Sequence, residues 1–178
     1  MISAGPFKIA IITVCSLLLS ASPAMCISEG EKAPYFKATS GDNEVLTSDM
    51  LNGKIAVVFY ETKDTKEKNR ALKDDLNVFY GTQSETAQKE IMKVAIIRCS
   101  AFMPNIWRRS LRENSKKEGI TIYGDWDGSM EKGYGMAHDE SNFLIIDKAG
   151  VVRYVKAGFI PAEDFPVIKK ILNRGGDI

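Results

Sequence analysis

The amino-acid sequence predicts an α/β three-layer sandwich, in which a central mixed β-sheet is covered by helices on both faces. Short apolar runs of strand length recur along the chain, and amphipathic segments of helical period lie between them. The strand-like runs are almost continuously apolar, which is typical of a sheet that is buried on both faces. The chain shows no internal repeat and no Pro/Gly-rich linker, so we expect a single domain over residues 27–178.

The first 26 residues have the pattern of a secretory signal peptide. Lys8 precedes an apolar run over residues 9–19, and the small residues and proline of "SASPA" follow. The run is too short to cross a bilayer, which takes about 20 apolar residues. We therefore expect cleavage after Ala24 or Cys26 and a periplasmic location. Lipid anchoring at Cys26 is disfavoured, because Met25 occupies the position where a small residue is expected.

The amino-acid composition and the charge balance disfavour some classes of function. Without the predicted signal peptide, which contains Lys8 and no acid, 23 basic residues face 23 acidic ones. A near-neutral chain lacks the field that would attract nucleic acid, and no transmembrane segment is expected in the mature chain. Cys15 and Cys26 lie within the predicted signal peptide. Cys99 is then the remaining thiol, and a lone thiol cannot form an internal disulfide.

Five strands are predicted from Val, Ile, Phe and Tyr enrichment, at residues 55–60, 94–99, 120–123, 143–147 and 151–155. The sequence "DKAG" between the last two is typical of a tight turn and predicts a hairpin. The segment after the first strand places Leu72, Leu76 and Phe79 on one helical face.

Two more helices are predicted in the second half of the chain. One begins at Pro104, ends at Gly119 and directs Ile106, Trp107 and Leu111 inward. The other covers residues 163–174, with acids first and bases last, and stops at "GG".

The order of these segments resembles the thioredoxin-like redoxins. "GEKAPYF" and "LTSDMLNGKIAVVFYET" are similar to the redoxin lead-in and first central strand, and "DWDGSMEKGYGM" and "FLIIDKAGVVRYVKAG" to the second half. The chain further resembles the YtfJ family of small exported bacterial proteins, through "KEKN" (66–69), "RRSLRENSKK" (108–117) and "DES" (139–141). This resemblance covers residues 30–172. It implies the thioredoxin fold and brings no established activity.

The resemblance also implies a redox site from which the sulfur is missing. Redoxins carry Cys-x-x-Cys after the first central strand, where this chain has Asp64 and Glu67. Thiol–disulfide exchange needs an attacking thiolate and a resolving thiol, and carboxylates supply neither. Redoxins place a cis-proline before the strand "FLIID", where this chain reads "DESN". A peroxidatic cysteine is absent from the turn as well. No catalytic triad pattern accompanies the single histidine.

We therefore expect a binding protein of the cell envelope without dithiol activity, and we name no catalytic residue. Its partner is predicted to be an envelope protein or peptide. The residues predicted to meet it are Thr62, Lys63, Asp64, Lys66, Glu67, Asp139, Glu140, Ser141 and Asn142.

Two alternatives remain open at this level. The redoxin fold implies that the loop after the first central strand faces the loop before "FLIID". This would gather Asp64, Glu67, His138, Asp139 and Glu140 into a site for Zn, Mn or Ca and a metal-assisted enzyme. A lone histidine without dense ligand spacing favours a solvated loop instead.

The second alternative is redox chemistry through Cys99. This residue ends an apolar strand, where a cysteine usually behaves as a small buried hydrophobe. Arg98 alternates to the opposite face of the strand and gives a thiolate little support.

Three other features have local interpretations. The sequence predicts a turn at Gly133-x-Gly135. Trp126 is either an exposed recognition residue or a core residue. A basic stripe on the predicted helix is formed by Arg108, Arg109, Arg112 and Lys116. We interpret it as a solvated helix face rather than as a docking site for an acidic partner.

Overall fold

A seven-stranded mixed sheet forms the centre of the computed structural model, which describes residues 27–175. The strands are β1 (Lys37–Ser40), β2 (Val45–Thr47), β3 (Ile55–Glu61), β4 (Ile91–Arg98), β5 (Ile122–Asp125), β6 (Asn142–Ile146) and β7 (Val152–Ala157). Their spatial order is β2-β1-β5-β4-β3-β6-β7. Strands β3, β4 and β5 are parallel, and β6 and β7 form an antiparallel hairpin beside β3.

The helices are α1 (Arg70–Thr82), α2 (Glu85–Glu90), α3 (Pro104–Glu118), α4 (Ser129–Tyr134) and α5 (Phe165–Asn173). Short 3₁₀ turns cover Ser48–Leu51 and Ala162–Asp164. Within residues 27–175, no helix combines the length and the apolar character needed to cross a bilayer. The predicted signal peptide lies outside the described residues.

Strand β3 shows why the sheet carries helices on both faces. All seven of its residues are buried, and alternate side chains join different core clusters. Val57 and Phe59 pack with Leu72 and Leu76 of α1 and with residues of α5. Val58 joins residues of α4 and of the Ser48–Leu51 turn on the opposite face. The predicted α/β three-layer sandwich is therefore confirmed.

All five predicted strands and three predicted helices are present, with shifted ends. The sequence prediction missed β1, β2, α2 and α4, which are three to six residues long and too short for a clear hydrophobic period. The predicted turn at Gly133-x-Gly135 was wrong for Gly133, which lies inside α4. Gly135 ends that helix in the left-handed conformation at φ 61°.

Helix α3 packs on the same sheet face as α1, but it is rotated relative to the prediction. Leu111 is buried and Trp107 is partly buried against Cys99 and Ile122. Ile106 is 63% exposed, so its predicted inward orientation was wrong. Trp107 and Leu111 are four residues apart and share a face, whereas Ile106 is turned about 100° away from its neighbour Trp107.

Candidate functional site

The sheet edge at which β3, β4 and β5 end forms the candidate site. Strand pairing places Tyr60 opposite Asn142, and Asn142 opposite Ala157, so β6 begins and β7 ends at this same edge. We call this end of the molecule the site edge. It comprises residues 61–69, 98–106, 125–127, 135–142 and 157–160. Open α/β sheets commonly bind ligands at the carboxyl ends of their parallel strands.

The turn after β3 and the loop before β6 touch, as the redoxin resemblance implies. The backbone N–H of Thr62 donates to Thr65 Oγ1 at 2.9 Å, which closes the turn. Thr65 Oγ1 in turn donates to the carbonyl oxygen of Glu140 at 3.4 Å. Lys68 adds an ion pair to the Glu140 carboxylate. The two loops are thus held together by side chains from the turn.

A buried ion pair lies beneath this turn. Glu61, the last residue of β3, is only 3% exposed, and its Oε2 lies 2.7 Å from Lys73 Nζ of α1. Ser141 Oγ donates to the other carboxylate oxygen at 2.8 Å. Lys73 also donates to the carbonyl oxygen of Lys66 at 2.7 Å. Burial raises the pKa of Glu61, and the interactions with Lys73 and Ser141 oppose that rise.

Asn69 extends the network to the end of β7. Its Nδ2 donates to Ser141 Oγ at 3.0 Å and to the Gly158 carbonyl oxygen at 2.9 Å. Its Oδ1 accepts a hydrogen bond from the Ile160 backbone N–H at 2.9 Å. Asn69 is 1% exposed, so these bonds satisfy a side chain that water does not reach. We call Glu61, Asn69, Lys73 and Ser141 the polar network.

Sequence reasoning missed three members of this network. Glu61 directly follows an apolar run, which is a signal that could have marked it as a buried acid at a strand end. Asn69 and Lys73 carry no such signal, because polar residues at the start of a helix are ordinary in sequence. Ser141 was predicted to meet a partner, but it is completely buried and holds the network instead.

The other predicted binding residues divide by exposure. Asn142 is 4% exposed, and its side chain binds the backbone of Ala137 and Glu140, so it shapes the loop and cannot meet a partner. The remaining predicted residues are at least partly exposed along the site edge: Thr62, Lys63, Asp64, Lys66, Glu67, Asp139 and Glu140.

The five predicted metal ligands do not come together. Within residues 27–175, no three His, Cys, Asp or Glu side chains form a group that could hold a metal ion. Glu67 pairs with Arg70 at 2.9 Å, and that hydrogen bond lowers the pKa of Glu67. Glu140 pairs with Lys68, and His138 Nδ1 lies 3.1 Å from Glu131 Oε1. His138 Nε2 also lies 3.6 Å from Asp139 Oδ1, so these two predicted ligands touch, while Glu67 and Glu140 pair with cations elsewhere.

A second buried acid, Asp125, ends β5. The Tyr60 hydroxyl and the Glu131 backbone N–H each donate to Asp125 Oδ2 at 3.1 Å. Asp125 Oδ1 is buried and has no hydrogen-bond partner among the described residues. Burial is the main cause that raises the pKa of Asp125. Tyr60 and Asp125 therefore form a buried polar pair, and the acids Asp127 and Glu131 lie close to it.

Cys99 lies against this second acid. It is 8% exposed, and its backbone N–H donates to the Asp125 carbonyl oxygen at 3.0 Å. Burial, assisted by the charge of Asp125, raises the pKa of the Cys99 thiol to about 12. A thiol of this kind is almost entirely protonated at neutral pH, and the thiolate is the reactive form.

Trp126 and the basic stripe of α3 make contacts within the chain. The Trp126 Nε1 donates to the Thr39 carbonyl oxygen at 3.0 Å, and its ring packs against the cluster of Cys99 and Leu111. Arg108 stacks over that ring, and Arg112 donates to the Gly41 carbonyl oxygen at 2.9 Å. Trp126 therefore serves packing between β1, β5 and α3.

Exposed apolar side chains flank the site edge, and sequence reasoning did not identify them. Phe102 and Met103, in the loop after β4, are 72% and 52% exposed, and Ile106 follows them in α3. Phe159, after β7, is 63% exposed. Single exposed apolar residues are common, but several along one edge mark a surface suited to contact with another molecule.

No protein-family model matches the chain, and no curated protein matches its sequence. Solved structures do match. A thiol peroxidase from Chromobacterium violaceum shares 16% identity at a TM-score of 0.61, over 85% of this chain and 90% of its own. The thioredoxin domain of a thiol-disulfide oxidoreductase from Bacteroides vulgatus shares 12% sequence identity at a TM-score of 0.60, and the match covers 83% of this chain and 99% of that domain. The exposed lipoprotein thioredoxin of Streptococcus pneumoniae shares 14% sequence identity at a TM-score of 0.54, and the match covers 79% of this chain and 99% of the lipoprotein chain.

The chain therefore has the thioredoxin-like fold of the redoxin proteins. Similarity at these identities shows the fold alone, because this architecture supports many unrelated functions. The site of this chain differs from a dithiol site in its chemistry. Cys99 is the only cysteine among the described residues, and it is unpaired and buried.

Proposed function

We propose that this is an exported thioredoxin-fold protein of the YtfJ type, which binds a protein or peptide of the cell envelope at the site edge and exchanges no disulfides. The observation that supports this most strongly is the polar network. Glu61, Lys73, Ser141 and Asn69 bind one another beneath the turn, with no thiol among them. The network ties the turn to the loop before β6 without supplying the thiols that disulfide exchange needs.

The surface above the network has the composition of an interface. Asp64, Lys63 and Glu67 are exposed on the turn, and Phe102 and Phe159 are exposed beside it. Protein interfaces combine aromatic residues at the centre with a polar rim. A preorganised loop pair also loses little conformational entropy when it binds, which favours affinity.

An envelope location supports the same proposal. The pattern of residues 1–26 predicts export with cleavage after Ala24 or Cys26. One structural neighbour is named as an exposed lipoprotein thioredoxin. Mass spectrometry of the product from periplasmic extract measures the new N-terminus and determines whether Cys26 remains on the mature chain.

Co-purification with cross-linking tests the binding role. The variant Asp64→Ala/Phe159→Ser removes one charged and one aromatic side chain from the site edge. Asp49→Ala/Met50→Ser is the matched control, because it changes two exposed residues next to the start of β3, at the opposite edge of the sheet. We expect the first variant to lose partners that wild type and the control retain. Identical partner sets for all three proteins would contradict the proposal.

A redox assay tests the absence of exchange chemistry. We expect the purified protein to give no insulin reduction above the rate of the uncatalysed reaction with dithiothreitol. A genuine thioredoxin serves as the positive control. Turnover at a rate comparable to that control would show that the site has been misread, whatever the co-purification finds.

A further inference from the structure

A cavity of about 400 Å³ lies between α1 and α3, on the sheet face that both helices cover. This volume is within the range of small-molecule sites, about 300–1,000 Å³. Glu61 and Lys66 connect one end of the cavity to the site edge, while the rest extends along the sheet away from the exposed aromatic residues. The proposed docking surface therefore leaves most of this space unused.

The floor and walls of the cavity are apolar. Val57 and Phe59 of β3 and Ala95 and Ile97 of β4 form the floor. Leu76 of α1 and Leu111 of α3 stand on the two sides. Apolar surface of this kind gains free energy when it is covered by an aliphatic group instead of water.

The lining of the cavity is strongly cationic. Five basic side chains and two carboxylates line it, which gives a net charge of +3: Lys63, Lys66, Arg70, Lys73 and Lys93 against Glu61 and Glu118. Both carboxylates are already paired, Glu61 with Lys73 and Glu118 with Arg70. The positive excess therefore resides on the other three lysines.

Those three lysines have no carboxylate partner among residues 27–175. Lys66 Nζ donates to Asn114 Oδ1 at 3.0 Å, and Lys93 Nζ donates to Asn77 Oδ1 at 3.3 Å. Lys63 is exposed and lines the same cavity. Neutral amides leave the charge of an ammonium group uncompensated, so an anion would gain Coulomb energy here without displacing another anion.

Two polar bridges close the space between the helices. Lys66 reaches Asn114 of α3, and Arg70 reaches Glu118 of α3 at 3.1 Å. Direct apolar packing of α1 against α3 would fill the cavity, whereas these long side chains span it. The bridges can move aside by rotation of flexible side chains, which provides an entrance.

We propose that this cavity binds a small amphiphilic anion, with its aliphatic chain on the sheet and its carboxylate or phosphate at Lys63 and Lys66 near the site edge, while Lys93 adds to the positive field further along the cavity. A nucleotide would leave polar groups unpaired on the apolar floor. A neutral lipid would make no favourable electrostatic interaction with the net positive charge of the cavity lining. A single-chain anion, either a free fatty acid or the lysophospholipid of a membrane, satisfies both parts of the cavity.

Titration calorimetry on the full mature protein tests the proposal, with probes kept below their micelle concentrations. We expect decanoate to bind at one site and decanol and decyltrimethylammonium to bind at least tenfold more weakly. A lysophosphatidylglycerol probe distinguishes the two sources, since the tighter of the two anions identifies the physiological class. Equal binding of decanoate and decanol, or no decanoate binding, would overturn the proposal.

Variants locate the binding. Lys66→Gln/Lys93→Gln is expected to weaken decanoate binding at least tenfold. Lys37→Gln/Lys132→Gln, which removes two exposed lysines outside the cavity, is expected to leave it unchanged. Ala95→Leu projects a larger side chain from the floor into the cavity and should weaken decanoate binding, and Ser110→Leu on α3 tests the same from the other side if Ala95→Leu fails to fold. Unchanged affinity in the folded variants would contradict the site. Partner recovery by Ala95→Leu, which changes no residue of the site edge, reports separately on the docking surface.

Discussion

Glu61 and Asp125 are two buried acids at the same edge of one sheet, yet they are partnered in different ways. Glu61 is 3% exposed and bonds to an ammonium group and a hydroxyl. Asp125 is 1% exposed, bonds to a hydroxyl and an amide, and leaves one oxygen without a partner among the described residues. Burial is the main cause of the raised pKa at both, but only Glu61 has a cation to oppose it.

The two acids therefore have different roles: Glu61 holds a loop through its ion pair, whereas Asp125 makes the stability of the fold depend on pH. The Lys73 ammonium group stabilises the ionised form of Glu61 and so lets the carboxylate hold the turn of the site edge, although the net shift of the Glu61 pKa is upward. An acid without a cation is more stable when it is protonated, so Asp125 couples the stability of β5 to pH.

The largest expected effect comes from breaking the ion pair. Lys73→Met leaves the buried Glu61 carboxyl group without its cation, and it should lower the free energy of unfolding by about 3 kcal/mol at neutral pH. Urea denaturation measures this loss. Lys148→Met is the matched control, because it removes a lysine from the more exposed pair with Glu90 and should cost under about 1 kcal/mol. Equal losses in the two variants would erase the distinction between buried and exposed pairs.

The double variant Glu61→Gln/Lys73→Met sharpens this test. It removes both charges together, so we expect it to be more stable than Lys73→Met alone. A double variant that is less stable than the single one would show that the Glu61 carboxylate stabilises the fold through Ser141 rather than through the ion pair.

Asn69→Ala should have the next largest effect. It leaves the buried Ile160 N–H without its partner and removes the bond to the partly buried Gly158 carbonyl oxygen, which should cost about 2 kcal/mol. Asn77→Ala, at an exposed position of α1, should change stability by about 0.5 kcal/mol or less. Thermal unfolding of both variants measures the difference. A small loss for Asn69→Ala would mean that water replaces its bonds.

The effect of Asp125→Asn should depend on pH. The folded protein holds the Asp125 proton more tightly than the unfolded chain does. Its stabilising contribution is therefore complete below the unfolded pKa, about 4, and is lost as the pH rises through the raised folded pKa. Relative to wild type, Asp125→Asn should become more stable as the pH is raised from about 4 to neutral. Urea denaturation across this range measures the difference, and parallel stability curves would refute the assignment.

The smallest expected effect concerns the thiol beside Asp125. Iodoacetamide should leave Cys99 unmodified in the native protein and should modify it on unfolding, because the thiol is buried and its pKa is raised. Peptide mass spectrometry follows Cys99 separately from any Cys26 that remains. Asp64→Cys places an exposed thiol on the turn and should react at the rate of a free cysteine. Equal rates at positions 64 and 99 would contradict a buried structural sulfur.

The prediction of the fold succeeded where the signal was local. The apolar run at 55–60 carries its own signature of a strand buried on both faces, and the spacing of Leu72 and Leu76 identifies the inner face of α1. The redoxin resemblance correctly implied that the turn after β3 meets the loop before β6. Hydrophobic periodicity did not predict short elements such as α4, and it did not predict that Ile106 faces outward.

The sequence by itself determined the strand and helix order, the absence of paired cysteines in the domain and the charge balance, because these are properties of composition and short-range period. Only the tertiary structure decided which polar residues are buried and what they bind. Glu61 meets Lys73 and Ser141 across 12 and 80 residues of chain, and Lys66 meets Asn114 across 48. Burial and pairing depend on such long-range contacts, which no local pattern of residues encodes.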